Sequence, residues 1–378
     1  MARLTRVATS CVLLVGIAVA CGARTGLPIP ECSGQPLKRI NGPNIYFILD
    51  RSASMTEVVG GKEKWDFVRD DIADLITALG SEAQFGAAEF PLPSADPALQ
   101  CQAGTEVMAL HQGDGLPATT TGSTANTFMN ATSYPPRGGT PTAATFTALT
   151  PELTSFKGHT FAILATDGGP NCNESPTETC TVEKCTVNID TMFACKAMSG
   201  AITPCVPGGL NCCDTATCGG TPLNCLDDVR TVAAVDTLAH PVQGQGVPTF
   251  VIGVPGSEAY GPVLDRVASA GGTARAEPPL YYPVTDSDLL ASALADISAR
   301  IAASCAIELE QPPSDPTQVN LVLNGHVIPQ AGANGWTISG SFVTVLGASC
   351  DEVHTIGRSP IVTGGCPTVQ ALPDAATP

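Results

Sequence analysis

The sequence predicts an α/β fold: a doubly wound, mostly parallel, Rossmann-like sheet flanked by helices. It also predicts a cysteine-rich, disulfide-stapled insertion and a small C-terminal all-β module. Three observations carry this. Two short apolar runs, Asn44 to Asp50 and Phe161 to Asp167, have the length and side chains of strands buried on both faces, and each ends on an aspartate. Around them strand-like and helix-like stretches alternate, the pattern of a parallel sheet wound by helices. From Cys305 the alternation gives way to short strands separated by turns.

Residues 1–20 read as a signal peptide. Arg3 and Arg6 precede an apolar run from Val7 to Ala20 that is too short to span a bilayer. Two cleavage readings stand side by side. Ala18-Val19-Ala20 satisfies the small-x-small rule of ordinary signal peptidase. With Cys21 it also resembles a bacterial lipoprotein box, although Ala18 stands where leucine is usual. Cysteine parity favours lipid on Cys21: of 16 cysteines Cys11 leaves with the signal, and setting Cys21 aside leaves 14, an even number. Gly22 resembles lipoproteins not retained at the inner membrane, so the expected place is the outer membrane, otherwise the periplasm or the medium. Residues 21–40 are Gly/Pro-rich and read as a tether, with Cys32 as a staple.

The main domain is expected over residues 41–304. After the first strand, Trp65, Val68, Ile72, Leu75, Ile76 and Leu79 fall on one helical face. Ala83 to Phe90 reads as a strand, and Thr105 to His111 as an edge strand paired with it. The loop between them carries Cys101, and one short helix is expected within Pro117 to Ser133. After the second aspartate-ending strand comes the insertion, residues 171–225. The framework then resumes with a helix (Leu226 to Leu238), a strand (Pro248 to Val254), a helix (Pro262 to Ala270) and a strand near Tyr281 to Val284. A last helix is capped by Asp286, with Leu290, Leu294, Ile297 and Ile301 on one face. Residues 305–370 read as the β module, with strands at Ala306 to Leu309, Gln318 to Leu323, Trp336 to Ile338 and Phe342 to Leu346. Asn324-Gly325 is a hairpin turn signal. Residues 371–378 form a tail.

The chemistry concentrates in three segments. Asp50-Arg51-Ser52-Ala53-Ser54 places a carboxylate and two hydroxyls on one tight loop at the end of a buried strand. Oxygen ligands of this kind suit a hard divalent cation. Arg137-Gly138-Gly139-Thr140-Pro141-Thr142 offers glycines that free the backbone, Thr140 as an N-cap and Pro141 for the first helical turn. Thr166-Asp167-Gly168-Gly169 ends the second strand. In this order, the three segments resemble the metal-ion-dependent adhesion site of von Willebrand factor type A domains, over roughly Asn41 to Ser304. The resemblance implies Mg²⁺, Mn²⁺ or Ca²⁺, with Ser52 and Ser54 binding directly and Asp50, Thr140 and Asp167 binding directly or through water. It further implies that an acidic side chain of a protein partner takes the open coordination position. Arg51 and Ala53 stand at variable positions of the motif, and Arg51 is expected to pair with a surface acid. The plainer reading is that Asp50 and Asp167 only cap strand ends; two carboxylates meeting at one sheet edge would then repel, with no cation between them.

The insertion holds Cys172, Cys180, Cys185, Cys195, Cys205, Cys212, Cys213, Cys218 and Cys225, with one short helix expected over Thr191 to Ser199. It contains no Cys-x-x-Cys pair and no histidine, so disulfides are expected rather than zinc. Nine is odd, so at least one cysteine bonds outside the segment or stays free. Cys101 is the expected outside partner, because its loop should lie at the same sheet edge. Cys305, Cys350 and Cys366 are the remaining bridge candidates. The insertion reads as part of a partner-binding surface beside the metal or as a stapled ornament.

Composition narrows the function. Charged residues make up 14% and aromatics 5%, and the formal net charge is −17. Without the first twenty residues, which carry two arginines and no acid, it is −19. Such a balance argues against nucleic acid, whose binding rests on Lys and Arg, and leaves membrane attachment to the N-terminal lipid alone. There is no Gly-x-Ser-x-Gly elbow and no His-Glu-x-x-His, and His111, His159, His240, His326 and His354 are scattered. The expected function is therefore not enzymatic. It is a metal-dependent binding or adhesion module of the bacterial cell envelope, against the alternative of a structural envelope protein in which the metal only stabilises the fold.

Overall fold

The computed structural model describes residues 34–38, 42–94, 96, 99–173, 194–196, 202–204, 226–242, 245–302, 305–356 and 360–371. The signal segment, Cys21, Cys32, Cys180, Cys185, Cys205, Cys212, Cys213, Cys218 and Cys225 lie outside these residues. In chain order the first elements are β1 (Gln35–Pro36), β2 (Asn44–Asp50), a hairpin of β3 (Val58–Val59) and β4 (Lys62–Glu63), and α1 (Lys64–Leu79). Then follow β5 (Gln84–Phe90), β6 (Thr105–Gln112), α2 (Thr124–Ala131), α3 (Thr142–Leu153) and β7 (Thr160–Thr166). Past the insertion's β8 (Ala194–Lys196) and β9 (Ile202–Pro204) come α4 (Asp228–Ala239), β10 (Thr249–Gly253), α5 (Gly261–Ala270), β11 (Tyr282–Pro283) and α6 (Ser287–Ala302).

Six strands form the main sheet in the order β11-β10-β7-β2-β5-β6, all parallel except β6, which pairs antiparallel with β5 at the edge. Every residue of β2, β5 except Gln84, and β7 is buried, which explains their unbroken apolar runs: helices cover both faces. On one face α1, α2 and α6 pack over Phe47, Leu49, Phe85 and Ile163, with Trp65, Val68, Ile72 and Ile76 supplied by the predicted stripe of α1. On the other face α3, α4 and α5 pack over Tyr46, Ile48, Leu164 and Val251. The chain leaves β2 toward β5 on one side and returns to β7 on the other. The carboxyl ends of β2 and β7 therefore flank the topological switch point, where open α/β sheets leave a crevice.

The C-terminal module is built from β12 (Ala306–Glu308), β13 (Val319–Leu323), β14 (His326–Ile328), β15 (Trp336–Ser339), β16 (Phe342–Val345), α7 (Gly347–Ile356) and β17 (Ile361–Gly364). Its strands pair antiparallel in two small sheets, β1-β17-β13-β14 and β12-β16-β15, around buried Trp336, Val319, Leu321 and Val343. The β13–β14 hairpin turns at Asn324 and Gly325, both with positive φ, as the turn signal requires. Cys305 bonds Cys350, and Cys366 is also disulfide-bonded.

Several expectations need correction. The tether expected over 21–40 is, at its described residues 34–38, part of the C-terminal module. β1 pairs with β17, and Leu37 packs on that module's core, because an apolar side chain beside an open sheet edge has a place to bury. The helix expected over Thr191 to Ser199 is, at its described residues 194–196, a strand paired antiparallel with β9; a nearby strand supplies its backbone partners. The β module carries one helix, α7, that its strand pattern did not announce. Among the described residues, no helix is long and apolar enough to cross a membrane.

Candidate metal centre

β2 delivers Asp50 to the crest of the sheet, and the next five residues fold back over it. The Ser52 backbone N–H donates to Asp50 Oδ1 at 2.9 Å, an Asx-type turn, and a 3₁₀ turn over Ala53–Thr56 follows. That turn sets Ser52 Oγ 3.1 Å from Ser54 Oγ, and Ser54 Oγ donates to Asp167 Oδ1 at 2.7 Å. Asp50 Oδ2 accepts from Thr166 Oγ1 at 2.5 Å, which ties the ends of β2 and β7 together. The Gly-Gly-Thr loop closes from the side. Gly138, at φ +87° where glycine is favoured, accepts the Ala53 N–H, and the Arg137 N–H donates to the Arg51 carbonyl.

Thr140 is buried in this loop, but it is not an N-cap. α3 begins at Thr142, Pro141 holds the cap position, and Thr140 lies one residue outside. Its placement comes instead from Asn171. The Thr140 N–H donates to Asn171 Oδ1 at 2.7 Å, and the Asn171 N–H donates to the Thr140 carbonyl at 3.0 Å. Cys172, the next residue, is bonded to Cys101 across 71 residues, so the segment after Asp167 is fastened to the loop after β5. This is the outside partner expected for the insertion, and it lies at the same sheet edge.

Arg51 does not pair with a surface acid. Its side chain is fully buried and donates to three backbone carbonyls: Pro135 at 2.5 Å, Pro91 at 3.1 Å and Leu92 at 3.0 Å. Its charge faces buried Glu89, with Nε 3.6 Å from Oε2 and no hydrogen bond to either carboxylate oxygen of Glu89. Burial pushes the Glu89 carboxyl up to about 8, with Arg51 and Arg69 offsetting only part of that rise. Because residue 51 follows a strand end that turns inward, its side chain is drawn under the loops.

On the other flank stands Lys64, the first residue of α1. Its Nζ donates to Asp167 Oδ2 at 2.9 Å and to Glu57 Oε2 at 2.5 Å, with its own side chain and that of Asp167 buried. Burial lowers the Lys64 pKa, but the two carboxylates raise it by more, so the net direction is upward. Burial pushes Asp167 upward, and Lys64 and Ser54 pull it back only in part. The sequence reading missed Lys64, Asn171, Thr166 and Glu57 as parts of this site. Lys64 alone left a signal: a cation in the first turn of a helix opposes the helix dipole and calls for a tertiary reason.

The residues fit a hard divalent cation. The donors are carboxylate and hydroxyl oxygens only, with two hydroxyls taking the place of further carboxylates; among the described residues no group of three His, Cys, Asp or Glu is gathered as a metal site. The 3.1 Å and 2.7 Å oxygen spacings across Ser52, Ser54 and Asp167 match the roughly 3 Å between neighbouring ligands of a six-coordinate ion with bonds of about 2.1 Å.

The three motif segments thus meet at one sheet edge on a fold like that of von Willebrand factor type A domains. No protein-family model and no curated protein matches the sequence. Among solved structures the chain is similar to the pilus adhesin SpaC from Lactobacillus rhamnosus GG, at 14% identity and a TM-score of 0.44, covering 83% of this chain and 39% of that one. It is similar to the von Willebrand factor domain of a type V pili tip protein from Porphyromonas gingivalis, at 13% identity and 0.42, covering 69% and 96%. It is also similar to a von Willebrand factor type A protein from Catenulispora acidiphila, at 14% and 0.41, covering 87% and 59%. The chain spans well under half the length of the pilus adhesin.

Proposed function

We propose that this chain is a divalent-cation-dependent binding module of the bacterial cell envelope, recognising an acidic group of a protein partner. Asp50, Ser52, Ser54, Thr140 and Asp167 would hold Mg²⁺, Mn²⁺ or Ca²⁺. When bound, the cation supplies an electrophilic position at which a water exchanges for a carboxylate oxygen. The protein's own part is to present the hydroxyls and carboxylates already turned toward one point. The observation that carries the reading is that convergence: Asp50, Ser52, Ser54 and Asp167, all buried, linked by bonds of 2.7–3.1 Å at the switch point of the sheet. Exposed Arg137 and Tyr134 border the crest and suit an anionic partner.

The structural alternative, a metal that only stabilises the fold, is disfavoured by Lys64. The ammonium already supplies a counter-charge to Asp167, so the fold does not depend on a metal to balance that carboxylate. Catalysis is disfavoured too, since His159, at the start of β7, lies at the opposite end of the sheet from the crest. Anchoring through Cys21 would place the module on the outer membrane.

The test is calorimetric titration of Mg²⁺, Mn²⁺ and Ca²⁺ into the mature, oxidised protein and into Asp50→Ala. The expected result is saturable binding that vanishes in the variant while the far-ultraviolet circular dichroism is kept. Heat that persists in Asp50→Ala would reassign the site.

A further inference from the structure

We propose that Lys64 is a positioning residue of the cation site: a tethered ammonium that holds Asp167 aimed at Ser54 before the cation arrives and weakens the cation's hold once it does. The inference rests on the cation-site reading above and adds to it a part that the metal-site motif does not contain. Lys64 lies ten residues beyond Ser54, outside all three motif segments.

The two oxygens of Asp167 are divided between two partners. Oδ1 accepts from Ser54 on the cation side, and Oδ2 accepts from Lys64 Nζ on the far side, so the ammonium fixes the rotation of the carboxylate without taking the oxygen that faces the hydroxyls. The ammonium sits in a built slot. Glu57 closes it on one side and Gly256 on another. Gly256 has φ +103°, and a Cβ there would approach Lys64 Nζ to 3.0 Å and the Asp167 carbonyl oxygen to 3.3 Å. The α1 backbone reinforces the placement, since the Lys64 N–H donates to the Glu57 carbonyl at 2.9 Å. Local preference runs against a cation at this end of a helix, so the buried partners override it.

The charge count gives the functional consequence. Asp50 and Asp167 bring two negative charges to the crest, and Lys64 removes one of them. A divalent cation entering this site therefore meets less buried negative charge than it would without Lys64, and the loaded site is more positive toward an incoming carboxylate. Glu57 is 58% exposed, and solvent screens its share. Deleting the ammonium should then tighten cation binding while making the metal-free fold depend on the cation.

The experiment compares wild type, Lys64→Met and Lys62→Met as full, oxidised chains, with Mn²⁺ as the only ligand. Lys62 pairs with Asp70 at the surface, so its replacement removes the same global charge without touching the crest. Thermal unfolding is recorded in chelator and in Mn²⁺, alongside calorimetric titration. The expected result is a Lys64→Met protein that melts lower than wild type in chelator, recovers in Mn²⁺, and binds Mn²⁺ about tenfold or more tightly than wild type; Lys62→Met should follow wild type. If Lys64→Met does not fold in chelator, the double variant Lys64→Met/Asp167→Asn should fold there, because it neutralises both partners. Equal Mn²⁺ affinity in wild type and Lys64→Met overturns the role of Lys64 alone, as does a double variant no more stable than the single one. Absence of Mn²⁺ binding in every protein overturns both this role and the cation-site reading.

Discussion

Two buried cation–carboxylate pairs flank β2 at the crest, and they are built in opposite ways. In Lys64–Asp167 the ammonium bonds the carboxylate directly at 2.9 Å, and Ser54 holds the other carboxylate oxygen. In Arg51–Glu89 the guanidinium spends its donors on the carbonyls of Pro91, Leu92 and Pro135, and faces Glu89 at 3.6 Å with neither carboxylate oxygen hydrogen-bonded. The first pair belongs to the proposed cation site, with the two oxygens of Asp167 divided between Ser54 and Lys64. The second serves the scaffold: Arg51 clamps the loops that frame the Ser52–Ser54 turn, and Glu89 lies beside it with a carboxyl that burial pushes up to about 8. The difference teaches that buried charge near a functional crest need not belong to it. Hydrogen bonding, more than proximity, separates the two roles.

The largest expected effect breaks the scaffold pair. Arg51→Met leaves the carbonyls of Pro91, Leu92 and Pro135 without their donor in the interior, so stability should fall by about 3–5 kcal/mol. Urea unfolding at pH 7 measures it, and a loss under about 1 kcal/mol would mean that Arg51 does not hold the loops.

A smaller effect separates the pairs by pH. Glu89 has its folded pKa raised from 4.5 to about 8 by burial, so the folded state binds its proton more tightly than the unfolded chain. Its contribution to stability is fully present below about pH 4.5 and is lost as pH rises through about 8, a decline of roughly 3 kcal/mol between pH 4.5 and pH 7. Glu89→Gln should flatten the decline while leaving stability near pH 5 unchanged. An identical slope in wild type and variant would assign the pH dependence elsewhere.

The smallest effect touches the tie between β2 and β7. Thr166→Val removes the hydroxyl that donates to Asp50 Oδ2 and should cost about 1 kcal/mol of stability. It should also weaken Mn²⁺ binding several-fold in calorimetry, because Asp50 loses its orienting partner. Unchanged affinity would show that the Ser52 N–H alone aims Asp50.

Much of this was legible in the sequence. The buried strands at Asn44–Asp50 and Thr160–Thr166 declared themselves because strands covered on both faces need apolar residues at every position. The stripe of α1 declared itself because a half-buried helix needs apolar residues at a period of 3.6. That Asp50, Ser52, Ser54 and Asp167 would meet was legible because each lies at the end of a buried strand or in the turn directly after it, and the two strands are neighbours in the sheet. β1 was not legible: two residues that complete a sheet edge more than 300 residues away carry no periodicity of their own. Nor was the inward turn of Arg51, since a charged residue in a loop is ordinarily solvated.

What the sequence determined by itself, then, is the order of strands and helices and the oxygen-rich character of the three segments, because both follow from short-range periodicity and residue chemistry. Only the tertiary structure decided what completes the crest. Lys64 reaches Asp167 across 103 residues, Asn171 reaches Thr140 across 31, and Cys101 bonds Cys172 across 71. Such contacts are made when the winding of the sheet brings distant loops to one edge, and no local pattern encodes which of many polar side chains will meet there.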